Sequence, residues 1–120
     1  MKRVSFKVAK ALKKAGYPQG TSKYLYDIDG TFASKYDYEQ WNINTLTKID
    51  MPTYLEAWLW LWREGKFKID LDECFGVCMI YDTTILDYRR NGDIYEFKYT
   101  DPEEAIEKAI VYLVDNNLIK

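Results

Sequence analysis

Apolar residues recur at helical spacing in three stretches of the chain, and short β-forming runs lie between them. Val8, Ala11, Leu12 and Ala15 line one face of a helix that Ser5 caps and that runs to about Ala15. Gly16 supplies its C′ position and Pro18 blocks continuation. Lys7, Lys10, Lys13 and Lys14 gather on the opposite side, so this helix is amphipathic with a lysine face. A second helix follows Pro52, with Thr53 and Glu56 in a capping box and Gly65 as its stop. A third opens with Asp101-Pro102-Glu103-Glu104, where an N-cap, an N1 proline and an acidic first turn agree. Its apolar face comprises Ala105, Ile106, Ala109, Ile110, Tyr112 and Leu113, and Asn116 and Asn117 end it.

The intervening stretches read as strands. Residues 23–36 form a hairpin around a two-residue Asp29-Gly30 turn. Strands are expected at Phe67–Leu71 and Phe75–Asp82; the latter is apolar on both parities and belongs at the centre of a sheet. Thr84–Arg89 and Asp93–Tyr99 flank Arg90-Asn91-Gly92, a further hairpin signal. Residues 37–50 mix turn formers with Trp41, Ile43, Leu46 and Ile49 and receive no assignment. The pattern predicts a single α+β domain over residues 1–120. It has a mostly antiparallel sheet of four to five strands and three helices in one layer on one face.

The helix after Pro52 is unusual in carrying Trp58, Trp60 and Trp62. Tyr54, Ala57, Trp58, Trp60 and Leu61 cover one arc, and Leu55, Leu59 and Trp62 cover an adjoining one. A helix apolar nearly all round is buried on two sides. The second side is covered by residues 37–50, or it meets another chain.

Composition removes several chemistries. The chain has no histidine, so a Ser-His-Asp triad, a Cys-His pair and a His-ligated metal are excluded. Cys74 and Cys78 are four apart, a spacing that in extended chain puts them about 13 Å apart, beyond disulfide reach. Both are read as buried thiols in a reducing compartment. No metal set, cofactor motif or catalytic constellation emerges, and Asp70, Asp72 and Glu73 read as solvated turn carboxylates. Without a signal-peptide core or a membrane-length apolar run, the expectation is a soluble cytoplasmic protein with no membrane partner. Charge is uneven: residues 1–26 hold seven basic residues and no acidic one, against ten basic and nineteen acidic beyond. Lys7, Lys10 and Lys14 are therefore candidate nucleic-acid contacts, although a solvated helix face explains them as well.

Two resemblances bear on function. Asp27-Ile28-Asp29-Gly30-Thr31 resembles the first motif of haloacid-dehalogenase-type phosphatases, in which the two aspartates are nucleophile and acid/base and help hold Mg²⁺. A helix precedes the motif here, and no later acidic pair completes a metal site, so a turn is the simpler reading. The chain as a whole resembles small uncharacterised proteins encoded by phages, prophages and mobile elements of the Bacteroidetes. The matching residues are Val4-Ser5, Val8-Ala9, Leu12 and Gly16-Tyr17; then Pro52-Thr53, Glu56, Trp60-Leu61 and Arg63-Glu64; then Asp101 to Ala105 with Ala109. Trp62 departs from the group by separating Trp60-Leu61 from Arg63-Glu64, and Pro102 replaces a usual tyrosine. The resemblance implies that Trp60 is a core residue and transfers no activity. The expectation is a non-enzymatic interaction protein whose contact residues are Leu59 and Trp62, meeting another protein or a second copy. The alternatives are a nucleic-acid accessory protein using the lysine face and, more remotely, a Mg²⁺ phosphatase using Asp27 and Asp29.

Overall fold

The computed structural model describes residues 2–20, 22, 24–34, 48–64 and 66–119. The chain divides into two compact units, Met1–Thr53 with Leu113–Lys120, and Tyr54–Tyr112.

The first unit holds α1 (Phe6–Lys14) and a three-stranded antiparallel sheet of β1 (Tyr24–Asp27), β2 (Phe32–Ser34) and β3 (Lys48–Asp50). The order is β2-β1-β3. The Ser5 hydroxyl accepts the Val8 N–H at 3.3 Å, satisfying one of the donors that every helix start leaves free. At the other end Gly16, at φ +103°, closes a Schellman motif. The Tyr17 N–H reaches the Leu12 carbonyl at 2.9 Å and the Gly16 N–H reaches that of Lys13 at 3.1 Å. Val8, Ala9 and Leu12 are buried, as are Leu25 at the sheet centre and Ile49. The amino-terminal strand segment is tied in by the Val4 N–H to the Pro52 carbonyl (2.9 Å) and by the Tyr26 hydroxyl to the Val4 carbonyl (2.9 Å). The Arg3 guanidinium donates to the Met51 carbonyl at 2.7 Å and lies 4.6 Å from the Tyr24 ring centre.

The second unit holds α2 (Tyr54–Arg63), β4 (Phe67–Asp72), β5 (Val77–Asp82), the short α3 (Tyr88–Asn91), β6 (Asp93–Lys98) and most of α4 (Pro102–Asp115). Its antiparallel sheet has the order β4-β5-β6. β5 is central, as its two apolar parities predict. Register places Ile69 opposite Ile80 and Cys78 opposite Phe97, so these buried residues share one face. α4 lies on that face: Tyr112 stacks on Tyr95 at 4.2 Å, and the Lys108 ammonium sits 4.5 Å from the Phe97 ring centre. The Asp101 carboxylate caps α4 by accepting the Glu103 N–H at 3.0 Å. Asn117, at φ 55°, ends it with a second Schellman pattern, the Leu118 N–H reaching the Leu113 carbonyl at 2.9 Å.

The α+β class and the antiparallel pairing agree with the sequence pattern; its three expected helices are joined by a fourth among the described residues, the short α3, so the helix count differs. Other details differ. Among the described residues the strands fall into two three-stranded sheets instead of one sheet of four to five. Residues 84–89 are not a strand: the Asp82 carboxylate accepts the Thr84 N–H (3.0 Å) and the Thr84 hydroxyl, which turns the chain, and α3 follows. The Asp82 N–H to Gly92 carbonyl bond at 2.8 Å then closes the β5–β6 connection, so Asn91-Gly92 is not a two-residue hairpin turn. The first hairpin forms as expected, but its loop has three residues. The Gly30 N–H bonds the Asp27 carbonyl and the Asp27 N–H bonds the Thr31 carbonyl, each at 2.8 Å, with Gly30 at φ +90°. Of the unassigned segment, residues 48–50 are β3, and 35–47, including Trp41, lie outside the described residues.

The cysteines also separate. Cys78 is buried on β5, whereas Cys74 is exposed in the β4–β5 turn, because the Asp72 carboxylate draws the Cys74 N–H (3.1 Å) into a turn and ends the strand. Phe75, in the same turn, is likewise exposed instead of paired. Burial, helped by the Asp70 charge, pushes the Cys78 thiol up to about 12. Iodoacetamide at pH 8 is therefore expected to modify Cys74 and spare Cys78 until the protein is denatured. Two native modifications per chain would contradict the assignment. Because its folded pKa lies above its ordinary value of 9.0, Cys78 adds stability that is complete below pH 9 and is lost as pH rises towards 12.

Candidate interaction surface

α2 runs beside β4, an edge strand of the second sheet. An uncovered edge presents unpaired backbone groups. Trp58 answers this by donating its indole N–H to the Ile69 carbonyl at 3.1 Å. Tyr54, Ala57 and Leu61 are buried, and Trp58 and Trp60 are half-buried. The Lys66 ammonium lies 5.0 Å from the Trp60 ring centre, so Trp60 is a flank of the core instead of its centre.

The other arc faces outward. Leu55, Leu59 and Trp62 are 36%, 38% and 44% exposed. Leu59 and Trp62 are brought together at a depression of about 240 Å³ whose remaining lining is Trp58, Lys68, Ile69 and Asp70. Lys68 gives this depression its character. Its ammonium sits 4.1 Å from the Trp62 ring centre and 3.6 Å from the Asp70 carboxylate, which in turn meets the Arg89 guanidinium at 3.4 Å. The cation holds the indole in place while its own charge is balanced by Asp70. Sequence reasoning missed Lys68. Its signal is its place on a strand between the buried Phe67 and Ile69, which turns it to the opposite face.

The lysine face is partly occupied. Lys7 pairs with Asp115 at 2.6 Å, and the Lys13 ammonium donates to the Lys48 carbonyl at 2.9 Å. Lys10 lies 5.1 Å from the Phe6 ring centre, and Lys14 is exposed at the end of the helix. Lys7, Lys10 and Lys14 thus share a helix, but Lys7 already has a carboxylate.

Asp27 and Asp29 lie on one tight hairpin. Both accept the Thr31 hydroxyl, Asp29 at 2.7 Å and Asp27 at 3.3 Å, and Lys48 forms an ion pair with Asp27. The Thr31 backbone N–H and then its hydroxyl hold the Asp29 carboxyl below the usual carboxylate range. These bonds build an Asx turn. Among the described residues no group of three or more Cys, Asp or Glu side chains is placed to hold a metal ion. Asp70 and Asp72 are both engaged, the first with cations and the second with turn amides. No helix among the described residues is long and apolar enough to cross a membrane. Neither a protein-family model, a curated protein nor a solved structure matches this chain.

Proposed function

We propose that this chain is a non-enzymatic protein-interaction module that docks a partner through the outer face of α2. It is of the kind encoded by phages and mobile elements of the Bacteroidetes, and it works in the bacterial cytoplasm. One observation carries the reading. Leu59 and Trp62 stand side by side at an apolar depression, with the indole held by Lys68 instead of being folded into the core. A pre-positioned tryptophan beside a pocket is the composition of an interface hot spot. The nucleic-acid reading draws less support, since Asp115 already engages Lys7.

The test is affinity capture from host cells with three baits. Proteins held by the wild type and by Lys10→Glu should be lost with Trp62→Glu, a substitution expected to cost about 2 kcal/mol of binding. A partner set unchanged by Trp62→Glu would remove the proposal, and one lost only with Lys10→Glu would move the interface to α1.

A further inference from the structure

Independently of the α2 face, we infer that β6 is an association edge for a second copy of this chain. The two β6 strands would pair antiparallel about a two-fold axis at Phe97, joining two three-stranded sheets into one of six strands. Trp58 covers the β4 edge of this sheet, but among the described residues β6 pairs on one side only. The open side is known from register. The Tyr99 N–H bonds the Gly76 carbonyl at 2.8 Å, so Phe97 and Tyr95, at alternate positions, also direct their backbone groups at β5. Glu96 and Lys98 therefore turn their N–H and C=O groups away from the sheet. These groups fit an extended backbone.

The side chains choose which backbone. Edge strands that avoid association carry charges that repel a second copy. Here Glu96 and Lys98 are two residues apart, exposed, and in no ion pair among the described residues. In an antiparallel pair centred on Phe97, Glu96 falls opposite Lys98 of the second copy, and Lys98 opposite its Glu96. Each is a hydrogen-bonded pair exchanging two backbone bonds, and each unites opposite charges. Centring the pair on Glu96 would set glutamate against glutamate, and centring it on Tyr95 would leave Lys98 unmatched. The sequence is thus self-complementary in one symmetric register.

A further feature agrees with this register. Tyr95 of the second copy falls opposite Tyr99, beside a depression of about 290 Å³ lined by Phe97, Tyr99, Ala105 and Lys108 among others. Tyr95 is stacked on Tyr112 of its own chain yet 38% exposed, so the outer part of its ring is left to be covered there. Glu96 and Lys98 lie on the face shared with Met79 and Val77, opposite the face that α4 covers, so the new ion pairs form clear of the helix.

Sedimentation equilibrium with charge reversal tests the arrangement. The wild type should dimerise. Glu96→Lys and Lys98→Glu should each weaken the dimer about tenfold or more, because each creates two like-charge contacts across the axis. The double variant, with the charges exchanged, should restore it, and Trp62→Glu should leave it unchanged. Circular dichroism of each variant confirms its fold. A monomeric wild type, single reversals without effect, or a folded double variant that stays monomeric would each overturn the inference. Loss of the dimer with Trp62→Glu alone would place association on α2 instead.

Discussion

Asp50→Ala is expected to destabilise the protein by about 3 kcal/mol, the summed loss of two hydrogen bonds to a charged acceptor. On a domain of this size that lowers the melting temperature by about 10–15 °C. Asp50 is 3% exposed. One carboxylate oxygen accepts the Gly20 N–H at 2.8 Å and the other accepts the Ser22 N–H at 2.9 Å. Its own N–H donates to the Gln19 side-chain carbonyl at 2.9 Å, and the Gln19 amide returns a bond to the Tyr17 carbonyl at 2.9 Å. One residue of β3 therefore pins the connection from α1 to β1 at Gly20 and Ser22, with Gly16 and Gly20 at positive φ. Alanine strands the buried Ser22 donor and leaves the exposed Gly20 N–H to water. Asparagine keeps one acceptor but turns an amide nitrogen on the other donor, so Asp50→Asn should fall between alanine and wild type. Thermal melts by circular dichroism rank the three. An Asp50→Ala melting temperature within a degree or two of wild type would show that the clamp contributes nothing.

Two leucines on α2 should differ by about 2.5 kcal/mol on truncation to alanine. Leu61 is fully buried, and Leu61→Ala removes transfer free energy and leaves a cavity, together about 3 kcal/mol. Leu59, two residues earlier, stands on the outward arc, and Leu59→Ala should change stability by about 0.5 kcal/mol or less. Urea unfolding of both variants measures the difference at similar helix propensity. Equal losses would mean that both arcs of α2 are buried, and Leu59 would cease to be a contact candidate.

These contrasts divide what was legible in the chain from what was not. Where a helix begins and ends is a local matter. Ser5, Gly16, Asp101 and Asn117 act on backbone groups within a few residues, so the capping signals found α1 and α4. The Asp27–Thr31 turn is equally local: glycine at positive φ and two Asx bonds need no distant partner, and a phosphatase-like string of letters folds as a hairpin loop. The central place of β5 followed from its doubly apolar pattern.

Long-range satisfaction was not legible. Asp50 meets Gly20 and Ser22 across thirty and twenty-eight positions, and nothing near it in the chain announces its burial. The β-forming residues 84–89 lost to a carboxylate at Asp82 and to the closure that Gly92 provides, because propensity is weak beside backbone hydrogen bonding. The same holds for Cys74, which an Asp72 bond sets in an exposed turn although burial was expected of it. On α2 the tryptophan pattern showed two apolar arcs, and the resemblance, not the periodicity, singled out Leu59 and Trp62 as the outer one. β4 decides that ranking, since Trp58 turns inward to its free carbonyl and leaves Leu59 and Trp62 outward. The sequence by itself determined α1, α2 and α4, the place of the first hairpin and the α+β class, because backbone groups are satisfied by near neighbours. Tertiary structure decided the two sheets, the pinned loop and the exposed face, because burial depends on residues far apart along the chain.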